Sequence, residues 1–155
     1  MGDMGTVEAQ INQDLKQAML AKDTVKLNVL RSIKSAFTYA KVAPGASAEA
    51  LTDDEVMVLV AKEAKKRQES ADSFMQAGQP ERAEAELAEK AMIEVYLPAQ
   101  LSESELRELI EIAVNGLSEV SPKAMGQVIG AVKAKAGPAA DGSLIARLVK
   151  ERLNQ

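Results

Sequence analysis

The chain has 155 residues, room for one helical domain or two small ones, and a formal charge of −4 from 19 Lys/Arg and 23 Asp/Glu. It contains no His and no Cys, which excludes thiolate and imidazole zinc sites, cysteine nucleophiles and serine–histidine relays, so no catalytic residue, metal or cofactor is expected. With no signal-like apolar region and no apolar run of spanning length, a cytoplasmic protein without a membrane partner is expected.

In chain order, MGDMGT fits a myristoylation pattern formally, but no polybasic second anchor follows it, and it reads as chance. From about Glu8 to Lys22, Ile11, Leu15, Met19 and Leu20 recur at helical spacing. Asp23 can cap a second helix carrying Val25, Leu27, Leu30, Ile33, Ala36 and Phe37, and the two should form a hairpin. VAPGASAEA, with Pro44, Gly45 and Ser47, reads as a loop. Thr52 and Glu55 form a capping box, behind which a long helix should run to a stop at Gly78. The apolar, valine-rich stretch from Val56 to Val60 follows that cap and reads as a buried helical face. Pro80 suits the first turn of a fourth helix ending near Tyr96.

Leu97-Pro98 breaks the helical run, because the residue before a proline is pushed toward extended geometry, and it marks the boundary between domains 1–97 and 98–155. Ser102 and Glu105 form a second capping box, opening a helix with Leu106, Leu109, Ile110, Ala113 and Val114 on one face. Ser121-Pro122 starts the next helix, Gly137-Pro138 ends it, and Asp141 caps the last, with Leu144, Ile145, Leu148, Val149 and Leu153 inward. Seven helices and no strand predict an all-α, multihelical fold.

Charge is uneven along this layout. Residues 1–97 and 98–121 each carry −4, whereas 122–155 carries +4, with six Lys/Arg against two acids. A local cationic face can bind a phosphate backbone within an acidic protein. On that segment, Gly126 and Gly130 share a helix face with Ala134. Glycine is destabilising in a helix interior, so the pair predicts a close approach, with packing by a neighbouring helix the first expectation and RNA backbone the second. Lys133 and Lys135 also complement the dipole at the helix C-terminus. On the third helix, Lys62, Lys65, Lys66 and Arg67 make a basic turn, for which a solvated face with a Glu63–Arg67 pair is expected. Glu86 and Glu89 are expected to form ion pairs or caps between helices, and Tyr96 to pack its ring and bond its hydroxyl.

YLPAQLSESEL at Tyr96–Leu106, SPKAMGQVIGAVKAKAG from Ser121 and DGSLIARLVKERL from Asp141 resemble the tail domain that ends the B subunit of the glutamine-dependent aspartyl/glutamyl-tRNA amidotransferase (GatB). Together with Lys62, Lys65, Arg67, Ser70 and Phe74, the chain from about Asp23 to Leu153 resembles the stand-alone YqeY family. Where Ala124, Gln127 and Pro138 stand, the family usually reads Asp, Lys and often a basic residue. The resemblance implies a larger N-terminal helical bundle, 1–97, and a small C-terminal domain, 98–155, that is RNA-facing rather than catalytic. It further implies a tRNA-binding or accessory role in the transamidation pathway, with tRNA and amidotransferase or aminoacyl-tRNA synthetase components as partners. The residues it places at the nucleic acid are Lys123, Gly126, Gly130, Lys133, Lys135, Arg147 and Lys150. One rival is a carbon–nitrogen ligase using glutamine as amide donor, although the chain has no amidase Ser-Ser-Lys apparatus and no nucleotide-binding loop. The other is a protein–protein interaction module.

Overall fold

Two hairpins of antiparallel helices build the first part of the chain, as seen in a computed structural model that describes residues 6–45 and 51–155. The myristoylation-like N-terminus, apart from the backbone of Thr6, and Ser47 of the predicted loop lie outside the described residues. Helix α1 spans Thr6–Ala21 and α2 Thr24–Val42; the Asp23 carboxylate accepts the Lys26 amide at the start of α2. Helix α3, Asp53–Gln76, starts at the predicted capping box, in which Thr52 and Glu55 exchange side-chain-to-backbone bonds. Gly78, at φ 74°, makes the turn to α4, Pro80–Glu94.

The core of this part joins Ile11 and Ala18 of α1, Val29, Leu30, Ile33 and Phe37 of α2, Val56, Val60 and Ala64 of α3, and Ile93 of α4. The predicted stripes are corrected at the α1–α2 turn. Ala18, not Met19 or Leu20, faces the core, and Val25 is exposed while Val29 is buried. The apolar run near a helix end offers several candidates to a 3.6-residue period, and only packing selects among them. Glu8, which the sequence does not distinguish from a surface acid, is buried and paired with Lys41 at 2.9 Å.

Helix α4 closes at Glu94, and Tyr96 follows, its hydroxyl donating to the Asp14 carboxylate of α1. Burial first, and then the bond to Asp14 and its negative charge, raise the Tyr96 pKa well above the ordinary phenol value. The chain divides into two compact units, Met1–Pro98 and Ala99–Gln155.

In the second unit, α5 spans Glu103–Asn115 behind the Ser102–Glu105 capping box. Ser121-Pro122 does not start an α-helix directly: Pro122–Ala124 is a single 3₁₀ turn, and α6 follows as Met125–Ala136. Gly137, at φ 95°, ends α6, and Asp141 caps α7, Gly142–Leu153, by accepting the Ser143 and Leu144 amides. Leu106, Ile110 and Val114 of α5, Val128 and Val132 of α6, and Ile145, Leu148, Val149 and Leu153 of α7 form one core. All seven α-helices, and no strand, are found among the described residues.

Candidate nucleic-acid interface

Helix α6 turns Met125, Val128, Ile129, Val132 and Ala136 toward the core of its unit. At 100° per residue, this leaves Gly126, Gln127, Gly130, Ala131 and Ala134 outward, and all five are exposed. A Cβ placed on Gly126 or Gly130 would meet no atom within 4 Å. The first expectation, that a neighbouring helix packs on the two glycines, is therefore wrong. The bulky residues of α6 recur on the opposite side, and the helix packs through them. What remains is a strip about 12 Å long with no side chain larger than Gln127.

The cations around this strip are placed unequally. Lys123 stands in the 3₁₀ turn ahead of α6, exposed. Lys133 and Lys135, also exposed, sit on opposite edges, about 160° apart around the axis. The Lys133 ammonium reaches the start of α7, where it lies 3.3 Å from the position a Cβ on Gly142 would take. Any larger residue at 142 would have to displace it. Lys150 is exposed on α7. None of these four lysines forms an ion pair or side-chain hydrogen bond among the described residues.

The arginines behave differently. Arg147 bonds Glu103 at 3.4 Å and Glu151 at 3.2 Å, and Arg107 bonds the same two carboxylates at 3.1 and 3.3 Å. Arg152 pairs with Glu111. These contacts stitch α7 to α5. The hydrogen bond from Arg107, followed by the positive charges of Arg107 and Arg147, holds the Glu103 carboxyl below the usual range, and the backbone of Ser102 does the same for Glu105. Of the seven residues proposed from the sequence, Arg147 thus belongs to a clasp within the unit, whereas Gly126, Gly130, Lys123 and Lys133 gather at or beside the α6 strip. Lys135 lies on its far edge and Lys150 on the neighbouring helix.

The basic turn of α3 is resolved the other way. Glu63 is 6 % exposed and holds Lys66 at 3.0 Å, and it does not form the expected pair with Arg67. Arg67 turns to α4, with Nε 3.4 Å from Glu89 and 4.0 Å from Glu86, so those two acids do form the expected interhelical ion pairs. Arg67 Nε and Glu86 Oε2 are inaccessible yet in no well-directed hydrogen bond, which makes the contact chiefly Coulombic. Ser70, Ser73 and Phe74 line an open groove of about 510 Å³ beside this pair, and the Arg82 guanidinium lies 5.8 Å from the centre of the Phe74 ring. Lys90 crosses to Gln68 at 2.9 Å. Neither the Arg82–Phe74 nor the Lys90–Gln68 contact is visible in sequence, because each depends on the register of the α3–α4 hairpin.

No aromatic residue occurs from Ala99 to Gln155. The α6 surface therefore has ammonium groups and closely approachable backbone to offer, and nothing on which a base could stack.

Comparison with known proteins gives relatives and a family. Two curated relatives are both called Altered inheritance of mitochondria protein 41, mitochondrial. The one from Pyrenophora tritici-repentis is 29 % identical over 149 residues, covering 92 % of this chain and 78 % of the relative. The one from Clavispora lusitaniae is 28 % identical over 128 residues, covering 83 % of this chain and 72 % of the relative. The family described as Yqey-like protein matches residues 8–153, nearly the whole sequence including both units, and the chain belongs to that family.

Proposed function

We propose that this protein is an RNA-binding accessory of the tRNA-dependent amidation pathway, without an active site of its own, and that it meets RNA through the outer strip of α6. The observation that carries this reading is the combination of two helical glycines with open space above them and nearby lysines that no carboxylate neutralises. Gly130, inside α6, weakens the helix by up to about 1 kcal/mol relative to alanine, and nothing inside the unit requires it. A phosphodiester backbone approaching the strip gives both glycines and lysines a reason. The resemblance to the amidotransferase tail supplies the pathway. The lack of aromatics in this unit favours contact with backbone and shape in structured RNA over reading of unstacked bases.

The relatives' name concerns inheritance of mitochondria and specifies no chemical step. We place this chain in an aqueous, RNA-containing compartment, the cytoplasm on the sequence reading. No helix among the described residues is long and apolar enough to cross a membrane.

A titration with tRNA at two salt concentrations tests the proposal. Binding should weaken steeply with salt, and Lys123→Ala, Lys133→Ala or Lys135→Ala should each weaken all tRNAs alike, lowering the salt slope by about one unit at most. Gly130→Leu should block RNA while raising thermal stability slightly, since the space above Gly130 is open and leucine favours a helix interior. Charge-insensitive binding, or none at low salt, would overturn the reading. So would glutamine-dependent amidation of mischarged tRNA by the chain alone.

A further inference from the structure

The tip of the α1–α2 hairpin combines backbone strain, exposed apolar side chains and unpaired positive charge. Lys22 is the one non-glycine residue with positive φ among the described residues, at 57°. Its amide donates to Met19 at 3.2 Å and that of Asp23 to Ala18 at 3.0 Å, closing α1 with a left-handed residue at the position glycine fills most readily. Two residues earlier, Leu20 is 80 % exposed, the most exposed large apolar side chain among the described residues, and Met19 and Val25 beside the turn are each about half exposed.

From Leu15 to Gly45 the sequence has six Lys/Arg and a single acid, Asp23, whose carboxylate is occupied in capping α2. Lys34 and Lys41 are held by Asn12 and Glu8. Lys16, Lys22, Lys26 and Arg31 have no such partner among the described residues.

We propose that this tip is a peripheral docking surface for an anionic lipid bilayer. Leu20 and Met19 enter the boundary between headgroups and acyl chains, and Lys16, Lys22, Lys26 and Arg31 meet lipid phosphates. Charge complementarity selects the anionic surface, and the alkyl groups select lipid over RNA, whose backbone gives an exposed leucine nothing to bury against. The acidic remainder of residues 1–97 confines the attraction to the tip. Docking of this kind needs neither a spanning helix nor a lipid anchor, and it is independent of the RNA surface on α6.

The test is co-sedimentation of the full chain with vesicles of phosphatidylcholine alone and of phosphatidylcholine mixed equally with phosphatidylglycerol. Binding is expected only to the mixed vesicles, falling with salt. Met19→Ser with Leu20→Ser should lower the partition coefficient about tenfold. Lys22→Gly relieves the left-handed backbone, so it cannot act by unfolding, and should lower partition about fivefold. The proposal fails if mixed vesicles bind nothing at low salt, if neutral vesicles bind equally, or if both variants bind like the parent. It also fails if light scattering shows a dimer that Leu20→Ser dissociates, or if Lys22→Gly abolishes tRNA binding, since the tip would then serve a second copy of the chain or RNA.

Discussion

In residues 1–98 two cations of the basic turn on α3 are held by nearby carboxylates: Arg67 lies against Glu86 and Glu89, and Lys66 against a buried Glu63, whereas Lys62 has no such partner among the described residues. In residues 99–155 the arginines are held in the same way, by Glu103, Glu111 and Glu151, while four lysines on α6, α7 and the preceding 3₁₀ turn form no ion pair among the described residues. Two basic segments that look alike in sequence thus differ in how far their charges are met by carboxylates within the chain. Side chains that join helices are drawn into partly dehydrated contacts, where a planar guanidinium can serve two carboxylates at once. A lysine beside a bare helix strip keeps its charge available for something outside the chain. Local excess of Lys and Arg therefore says little about binding until the carboxylates within reach are known.

The largest expected effect breaks the comparison on the first side. Arg67→Ala leaves Glu86 and Glu89, each less than one-third exposed, without their cation and should destabilise the first unit by about 2–3 kcal/mol in urea unfolding, with tRNA affinity unchanged. A loss of tRNA affinity with stability intact would move the RNA surface to α3. Next in size, Thr52→Ala removes one half of the capping box at the start of α3 and should lower stability by about 1 kcal/mol, also without effect on RNA. Stability that does not change would mean the N-terminal turn of α3 frays at little cost.

Gly130→Ala sharpens the comparison from the other side. Open space above Gly130 and its place inside α6 predict a gain of somewhat less than 1 kcal/mol in thermal or urea unfolding. A loss instead would show that a neighbour packs on that face. The smallest effect concerns the arginine clasp. The Glu103 carboxyl titrates below its ordinary value of 4.5 in the folded chain, so its contribution to stability is complete above that value and fades as pH falls below it toward the folded pKa. Glu103→Gln should flatten the acid side of the thermal stability profile slightly, and an unchanged profile would show that the clasp adds nothing.

Helix number and most helix ends are legible in the sequence because they are local. Thr52 with Glu55, Ser102 with Glu105, Asp23 and Asp141 cap the helices that follow them, and Gly78 and Gly137 turn the chain with positive φ, all within a few residues of backbone. The candidate interface is legible only in outline. Lys123, Gly126, Gly130 and Lys133 can be found from their segment and its charge, but Arg147 looks equally suitable in sequence and is withdrawn by Glu103, 44 residues away. The glycines mislead in the same manner, since a Gly-x-x-x-Gly spacing is the same whether a helix lies on it or nothing does.

The sequence alone determined that this chain is helical, where most helices start and stop, and that it has neither histidine nor cysteine for chemistry, since these depend on residue type and near neighbours. Tertiary structure decided which charges remain free, which face of α6 is bare, that Tyr96 bonds Asp14, and that Glu8 and Glu63 lie inside. Those outcomes depend on which helix faces which and in what register, and the register is set by the summed packing of whole helix faces, which no local pattern contains.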